Sequence, residues 1–395
     1  MKPLKVLCLD LEGGFGGSSR SLFESLKHMD RNAIDPTVWC RKDGPVRPRY
    51  DEIDIKTVHQ PQMPRVSSLP RFSRNMIVYG IFIRDWLCAE GFREQLLNAA
   101  NEYDLIHFNH EGLFFLARWL RRRLSIPLTM HIRTNLYPSC FARFQERTII
   151  ENLDHLVFIT ENERQSLERL AGRVSVGTVI HNIAEPPNSD EHCWLEKLTR
   201  DPRFKIASLS NYAWFRGTDR LVEIAEVLKR RRCTQFVFFV AGTMSLTRSL
   251  EGELGEVARR GGTLVDFAKR RGVEDWFCFF GHVDRPDIVL EASQVLIKPT
   301  REANPWSRDI LEALAARVPV ISCGTDSTFV ETGATGMLQD EFDAEGVADF
   351  LIRLADDPDK FDQLRSGAKM RAEFLCGGID RSADLLSVWR MSASR

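Results

Sequence analysis

KPTREANPWSRDILEALAARVPVIS, residues 298–322, is the stretch whose reading decides the fold. It opens as a polar loop. Ile310, Leu311, Ala313 and Leu314 follow at helical spacing, with Glu312 among them, and Val318-Pro319-Val320-Ile321 reads as a short buried strand. Loop, helix, strand is half of a βαβ unit, and a helix N-terminus fed by such a loop is suited to an anion. Ser307, Arg308 and Asp309 stand at that N-terminus. The guanidinium of Arg308 would add to the helix dipole in holding a phosphate or diphosphate.

Moving outward, Val295-Leu296-Ile297 is the strand that feeds this loop. Upstream, the strand Lys205 to Leu209 leads into NYAWFRGTDR, residues 211–220, and a helix from Leu221. Phe236 to Val240 is a further strand ending in Ala241-Gly242, and Trp276 to Phe280 another, ending at Gly281-His282-Val283. The alternation of strands and helices predicts a doubly wound sheet. Before it, Ala184 to Arg203 is polar, carries Pro186-Pro187 and reads as a linker. Residues 347–374 read as two helices, and Ser382 to Met391 as one more amphipathic helix.

The first half repeats the pattern. Lys5 to Leu9 is an apolar strand, GGFGGSSRS follows at Gly13 to Ser21, and Leu22, Phe23, Leu26 and Met29 continue at helical spacing. Strand, Gly-rich turn and helix make the first unit of a Rossmann-like domain. The dinucleotide fingerprint fails, because Ser19 stands where its third glycine belongs, so a nicotinamide cofactor is not expected. Thr37 to Cys40 is the next strand, and residues 41–70 read mostly as loop. Two further strands, Asp104 to Phe108 and Pro127 to Met130, end in polar clusters: Asn109-His110-Glu111 and His131-Ile132-Arg133. Open α/β sheets bind ligands at such strand ends, which makes His131 a site candidate, with a core-packed histidine as the alternative. Leu156 to Thr160 and Thr178 to Asn182 complete the strands of this half.

Between Ile55 and Arg84 there is no Asp or Glu, and Met76 to Leu87 forms an apolar, aromatic helix beside several arginines. It reads as a core-packing helix with solvated arginines, or as a surface for contact with an anionic membrane through residues 65–93.

The chain is long enough for two domains. Its formal net charge of −1 gives no reason to expect nucleic acid as a partner. Lys and Arg number 25 against 21 Asp and Glu in residues 1–183, which leaves 29 (54 − 25) against 34 (55 − 21), so the slight basic excess lies in the first half. Nine singly placed cysteines, with no Cys-x-x-Cys pair and no signal-peptide pattern, point to a reducing cytoplasm and to neither zinc nor redox chemistry. No run of about 18 apolar residues is present, so no membrane span is expected.

Taken in order, these motifs resemble the family 4 glycosyltransferases of GT-B fold. The resemblance covers nearly the whole chain. It rests on the Gly-rich turn Gly13 to Gly17, His131, Val179 to Asn182, Phe215 to Asp219, Phe280 to Val283, residues 298–322, and Thr335-Gly336 with the tail that follows. It implies two tandem Rossmann-like α/β domains facing across a cleft: residues 1–183 for the acceptor, 184–377 for the nucleotide sugar, and a terminal helix, 378–395, crossing back to the first domain. It further implies retaining transfer of a sugar from a nucleotide diphosphate sugar to a glycan or lipid-linked acceptor in cell-surface polysaccharide synthesis, in the cytoplasm or at the inner face of the membrane.

The family pattern also assigns residues. The donor would be held by Gly16, Gly17, Asn211, Arg216, Gly281, His282, Val283, Pro305, Trp306, Ser307, Arg308, Asp309 and Glu312. The acceptor would meet Ser18, Ser19, Arg20, His131 and Arg133. His131, Arg216, Asn304 and Glu302 would serve catalysis. Two positions depart from the pattern. Asn211 stands near the place of a diphosphate-binding arginine, with Arg216 at the lysine place, and Asn304 stands eight residues before Glu312 where the pattern has a glutamate. Glu302, two residues upstream, is the nearby carboxylate that could take its place. Arg216, Arg308, the Gly16 and Gly17 amides and a helix N-terminus would carry the leaving-group charge without a metal, so no cofactor is expected. The departures motivate a second reading, a catalytically silent GT-B protein that only binds a ligand or partner. A sugar-nucleotide epimerase would need an acid–base pair, which is not evident.

Overall fold

The computed structural model describes residues 2–14, 17–66, 76–187, 198, 200–302 and 304–394. Gly16 lies outside them. So do most of the expected linker (188–197 and 199) and part of the expected membrane-facing stretch (67–75).

The chain divides into two compact units, Met1–Ile183 with Gly378–Arg395, and Ala184–Gly377. The first carries a seven-stranded parallel sheet: β1 (Leu4–Asp10), β2 (Ile34–Cys40), β3 (Lys56–His59), β4 (Leu105–Phe108), β5 (Leu128–Ile132), β6 (His155–Phe158) and β7 (Gly177–Val179), in the order β3-β2-β1-β4-β5-β6-β7. The second carries six parallel strands: β8 (Phe204–Leu209), β9 (Phe236–Ala241), β10 (Phe277–Gly281), β11 (Val295–Lys298), β12 (Val320–Cys323) and β13 (Gly336–Gln339), in the order β10-β9-β8-β11-β12-β13. Both orders reverse direction once, between β1 and β4 and between β8 and β11, and such a switch point is where an open α/β sheet leaves room for a ligand.

Local sequence explains the strands. Val6 to Leu9 in β1 and the FVFFVA run of β9 are buried along their whole length. Near-continuous apolar runs are what a parallel strand covered on both faces requires. Helices close on ordinary caps: Thr160 accepts from the Asn162 amide at the start of Glu161–Ala171, and Gly172 ends that helix at φ +67°. The Pro- and Arg-rich residues read as loop contain a short helix, Val46–Asp51, and the edge strand β3. That strand has no buried residue, so it lacks the apolar signature of the others.

The terminal helix runs Gly378–Ala393. It buries Leu385, Val388 and Trp389 among Leu22, Leu26, Leu105 and Val157 of the first unit, and Ser382 Oγ donates to Ser25 O (2.8 Å). Burial of Leu385 and Val388 stabilises this docking by about 1.5–3 kcal/mol each. Among the described residues no helix is long and apolar enough to cross a membrane.

Candidate functional site

In the second unit, loops at the C-terminal ends of β8, β9, β10 and β11 are bonded to one another. After β8, a 3₁₀ turn (Trp214–Arg216) ends at Gly217, whose φ is +72° and where a Cβ would lie 1.9 Å from Pro299 O. Only glycine allows the two loops to approach this closely. Arg301 then fastens them: its amide donates to Phe215 O (2.8 Å), and its guanidinium forks onto Asp219 at 2.9 and 2.6 Å. Arg220 Nη1 adds a bond to Pro299 O (3.0 Å). Asp219 and Arg301 lie within the quoted motifs, but the sequence assigned neither a role. They sit 82 positions apart, and only the fold makes them partners.

This clamp sets Arg216 and Asn211. Arg216 is partly exposed and donates from Nη1 to Asn211 O (3.1 Å). Asn211 is exposed, and its Oδ1 accepts from the Thr243 amide (2.7 Å), so this side chain ties the β8 loop to the β9 loop. The Gly242 amide in turn donates to Gly281 O (2.6 Å). Gly281 and His282 are exposed, and Val283 is half-buried. Asn211, Arg216 and Gly281 through Val283 thus belong to one connected rim.

The loop after β11 behaves differently from its reading. Asp309, expected to face the donor, is instead buried in an ion pair with Lys298 and accepts from Ser307 Oγ (2.5 Å). It therefore holds the N-terminus of the helix Arg308–Ala315 and is not free for a ligand. The side chains of Pro305 and Trp306, also expected at the donor, are buried. Asn304 Oδ1 takes a bond from Thr300 Oγ1 (2.9 Å), and Glu302 is exposed. Arg308 and Glu312 pair across one helical turn at 3.5 Å. That places a guanidinium and a carboxylate together on a helix whose dipole favours an anion at its start.

In the first unit a buried polar network fills the switch point between β1 and β4. The Asp10 carboxylate is fully buried and accepts from Ser19 Oγ (2.6 Å), Asn109 Nδ2 (2.8 Å) and the Gly13 amide (3.3 Å). Gly13 has φ +62°, and a Cβ there would meet Lys42 O at 2.4 Å. Arg133 is partly exposed; it donates to Asn109 Oδ1 (2.6 Å), Asn109 O (3.0 Å) and Asn182 Oδ1 (3.2 Å). Ser19, expected to meet an acceptor, is fully buried against Asp10 and serves this network instead. Ser18 is also buried, and its carbonyl accepts from Asn109 Nδ2 (3.0 Å). Gly17 is exposed at the start of the helix Gly17–Lys27, and Arg20 lies 3.7 Å from Glu24 one turn on.

His131 is at the end of β5 and only 5% exposed. Its Nδ1 lies 2.8 Å from Nε2 of the fully buried His107 on β4, and His107 Nδ1 lies 3.2 Å from Trp389 Nε1 and 2.9 Å from Thr129 Oγ1. Burial, with the Arg133 guanidinium adding to it, pushes the His107 pKa down to about 3. Burial, then Arg133 and His107, holds His131 well below its ordinary value. Both rings are neutral at pH 7. His107 and Trp389 were not predicted; a histidine inside an apolar strand carries no signal of its own.

The family comparison fits this arrangement. Residues 16–182 match the model of the glycosyl transferase 4-like domain, and residues 203–357 match that of the glycosyl transferases group 1. The chain belongs to the glycosyltransferases of GT-B fold. No curated protein matches the sequence of this glycosyltransferase. Among solved structures, HepE of Anabaena in complex with UDP is similar at TM-score 0.75 and 18% identity, over 98% of this chain and 100% of that one. Sucrose-phosphate synthase from Thermosynechococcus elongatus is similar at TM-score 0.72 and 17% identity, over 98% of each chain. A glycosyltransferase from Rickettsia africae is similar at TM-score 0.71 and 15% identity, over 99% of each chain. At these identities the likeness to the solved structures is one of fold.

Proposed function

We propose that this glycosyltransferase moves a sugar from a nucleotide diphosphate sugar to a glycan or lipid-linked acceptor with retention of anomeric configuration. The observation that carries the reading is the set Arg216, Arg308 and Glu312 at the strand ends that flank the β8–β11 switch point, beside a helix N-terminus. HepE has been solved with UDP and with UDP-glucose, which makes a uridine donor the first to test.

In this reading the bond between the anomeric carbon and the β-phosphate oxygen breaks, and its electron pair goes to that oxygen. Arg216, Arg308 and the amides at the start of Arg308–Ala315 stabilise the charge where it forms. Glu312 takes the ribose hydroxyls while its carboxylate orients Arg308. Asn304 and Glu302 face the donor sugar, and Asn304 offers a hydrogen bond there in place of a charge. The acceptor hydroxyl attacks from the leaving-group face and passes its proton to the departing phosphate oxygen. His131 and Arg133 serve the substrate side in the first unit, with Gly17, Ser18 and Arg20 at the neighbouring helix start. The cations present suffice for the leaving-group charge, so the reaction proceeds without a metal or organic cofactor. The setting is cell-surface polysaccharide synthesis at the cytoplasmic face of the membrane. There the exposed Ile81, Ile83 and Leu87 beside Arg84 give the helix Met76–Cys88 a lipid-facing surface.

The test is release and transfer of sugar from UDP-glucose and other nucleotide sugars, with the product configuration read by NMR. Arg216→Ala should lower kcat about 10²–10³-fold, the cost of removing one donor from a developing oxyanion. Inversion at the anomeric carbon, or full activity in Arg216→Ala, would overturn the reading.

A further inference from the structure

We propose that Trp389 and His107 are positioning residues that fix the proton of His131 on Nε2 through a one-way hydrogen-bond chain. His131 is thereby presented to a sugar hydroxyl as a donor and not as a base. The functional half of this inference rests on His131 facing substrate.

The direction of the chain follows from donor chemistry. An indole N–H can only donate. Trp389 Nε1 lies 3.2 Å from His107 Nδ1, so that nitrogen accepts. A neutral imidazole has one N–H, and the His107 proton is therefore on Nε2. Nε2 lies 2.8 Å from His131 Nδ1, which must accept in turn. That leaves the His131 proton on Nε2. Thr129 Oγ1, 2.9 Å from His107 Nδ1, does not oppose this, because its hydroxyl rotates to donate as well.

Three features make the chain more than packing. The three rings come from β4, β5 and the terminal helix, and Trp389 and His107 are 282 positions apart. Both of these side chains are fully buried, so no water competes for the bonds. Among the described residues His131 Nε2 has no hydrogen-bond partner. An N–H at that place matches the lone pair of a hydroxyl oxygen. A bare nitrogen would instead take a hydroxyl proton, which the retaining route above assigns to the leaving phosphate.

The experiment is long-range ¹H–¹⁵N correlation of the histidine rings in the ¹⁵N-labelled full chain at pH 7.5. His107→Gln and His131→Gln assign the signals. We expect both histidines to show a protonated Nε2 and a bare Nδ1. Trp389→Phe keeps an aromatic ring at the position and removes the N–H. It frees His107 to donate from Nδ1 to Thr129, so the His131 signals should move toward the opposite tautomer. Donor turnover should then fall about three- to tenfold, the scale of one neutral hydrogen bond. A proton on His131 Nδ1 in the wild type, or an unchanged tautomer in Trp389→Phe, would overturn the chain. The wild-type spectrum decides alone should Trp389→Phe not fold. The expected tautomers with a fully active His131→Gln would instead refute the substrate-facing role and leave the hydrogen-bond chain standing.

Discussion

Acid should loosen the first unit through two buried rings. His107 and His131 are neutral when folded because burial and the Arg133 guanidinium disfavour their charged forms. In the unfolded chain each titrates near 6.5. Below that value the unfolded state binds protons that the folded state cannot, so stability falls as pH falls from about 6.5 toward the folded pKa, and is flat above about 7. At pH 5.5, one unit below the unfolded value, each ring costs about 1.4 kcal/mol, and the pair about 2.7 kcal/mol. The magnitude depends little on the folded pKa, provided it lies well below 5.5. Amide hydrogen exchange in β4 and β5, compared at pH 7.5 and 5.5 after correction for intrinsic rates, reads this directly. Wild type should lose that amount, and a His107→Gln/His131→Gln variant should lose correspondingly less. Equal losses in the two proteins would refute the assignment of neutral, buried histidines.

Two further outcomes follow from packing and surface chemistry. Lys298→Met leaves the buried Asp309 carboxylate without its cation, and should destabilise the second unit by about 3–5 kcal/mol in urea melts; a loss under 1 kcal/mol would show that the pair is solvated. The protein should float with vesicles rich in anionic lipid at low salt and be released at high salt, with Ile83→Glu/Leu87→Glu weakening the binding; no flotation of the wild type would remove the membrane contact.

Most strands were legible because they are continuous apolar runs, and each ended at polar residues that the fold gathers at the sheet's C-terminal edge. β3 was not, since its KTVH sequence is a short run between Asp54-Ile55 and Gln60-Pro61 and has no buried residue. Helix periodicity put Ser307, Arg308 and Asp309 at a helix N-terminus, and the helix does begin at Arg308, whereas the roles of Arg216 and Glu312 came from the family resemblance and not from spacing. The same logic misjudged Asp309: its position at the N-terminus was right, but the cation it meets, Lys298, comes from the preceding strand. Asp10 with Asn109, 99 positions apart, and Trp389 with His107 depend on strand order and on where the terminal helix docks. Local patterns report neither.

We propose above that the second unit holds a nucleotide diphosphate sugar through Arg216 and Glu312. The most direct measurement is a thermal-shift and titration screen of UDP, GDP, ADP and their sugar conjugates against wild type, Arg216→Ala and Glu312→Ala. One nucleotide class should stabilise the wild type by about 2.7 kcal/mol at a hundred times its dissociation constant, and neither variant to that extent. No shift with any nucleotide, or equal shifts in all three proteins, would overturn donor binding through these residues.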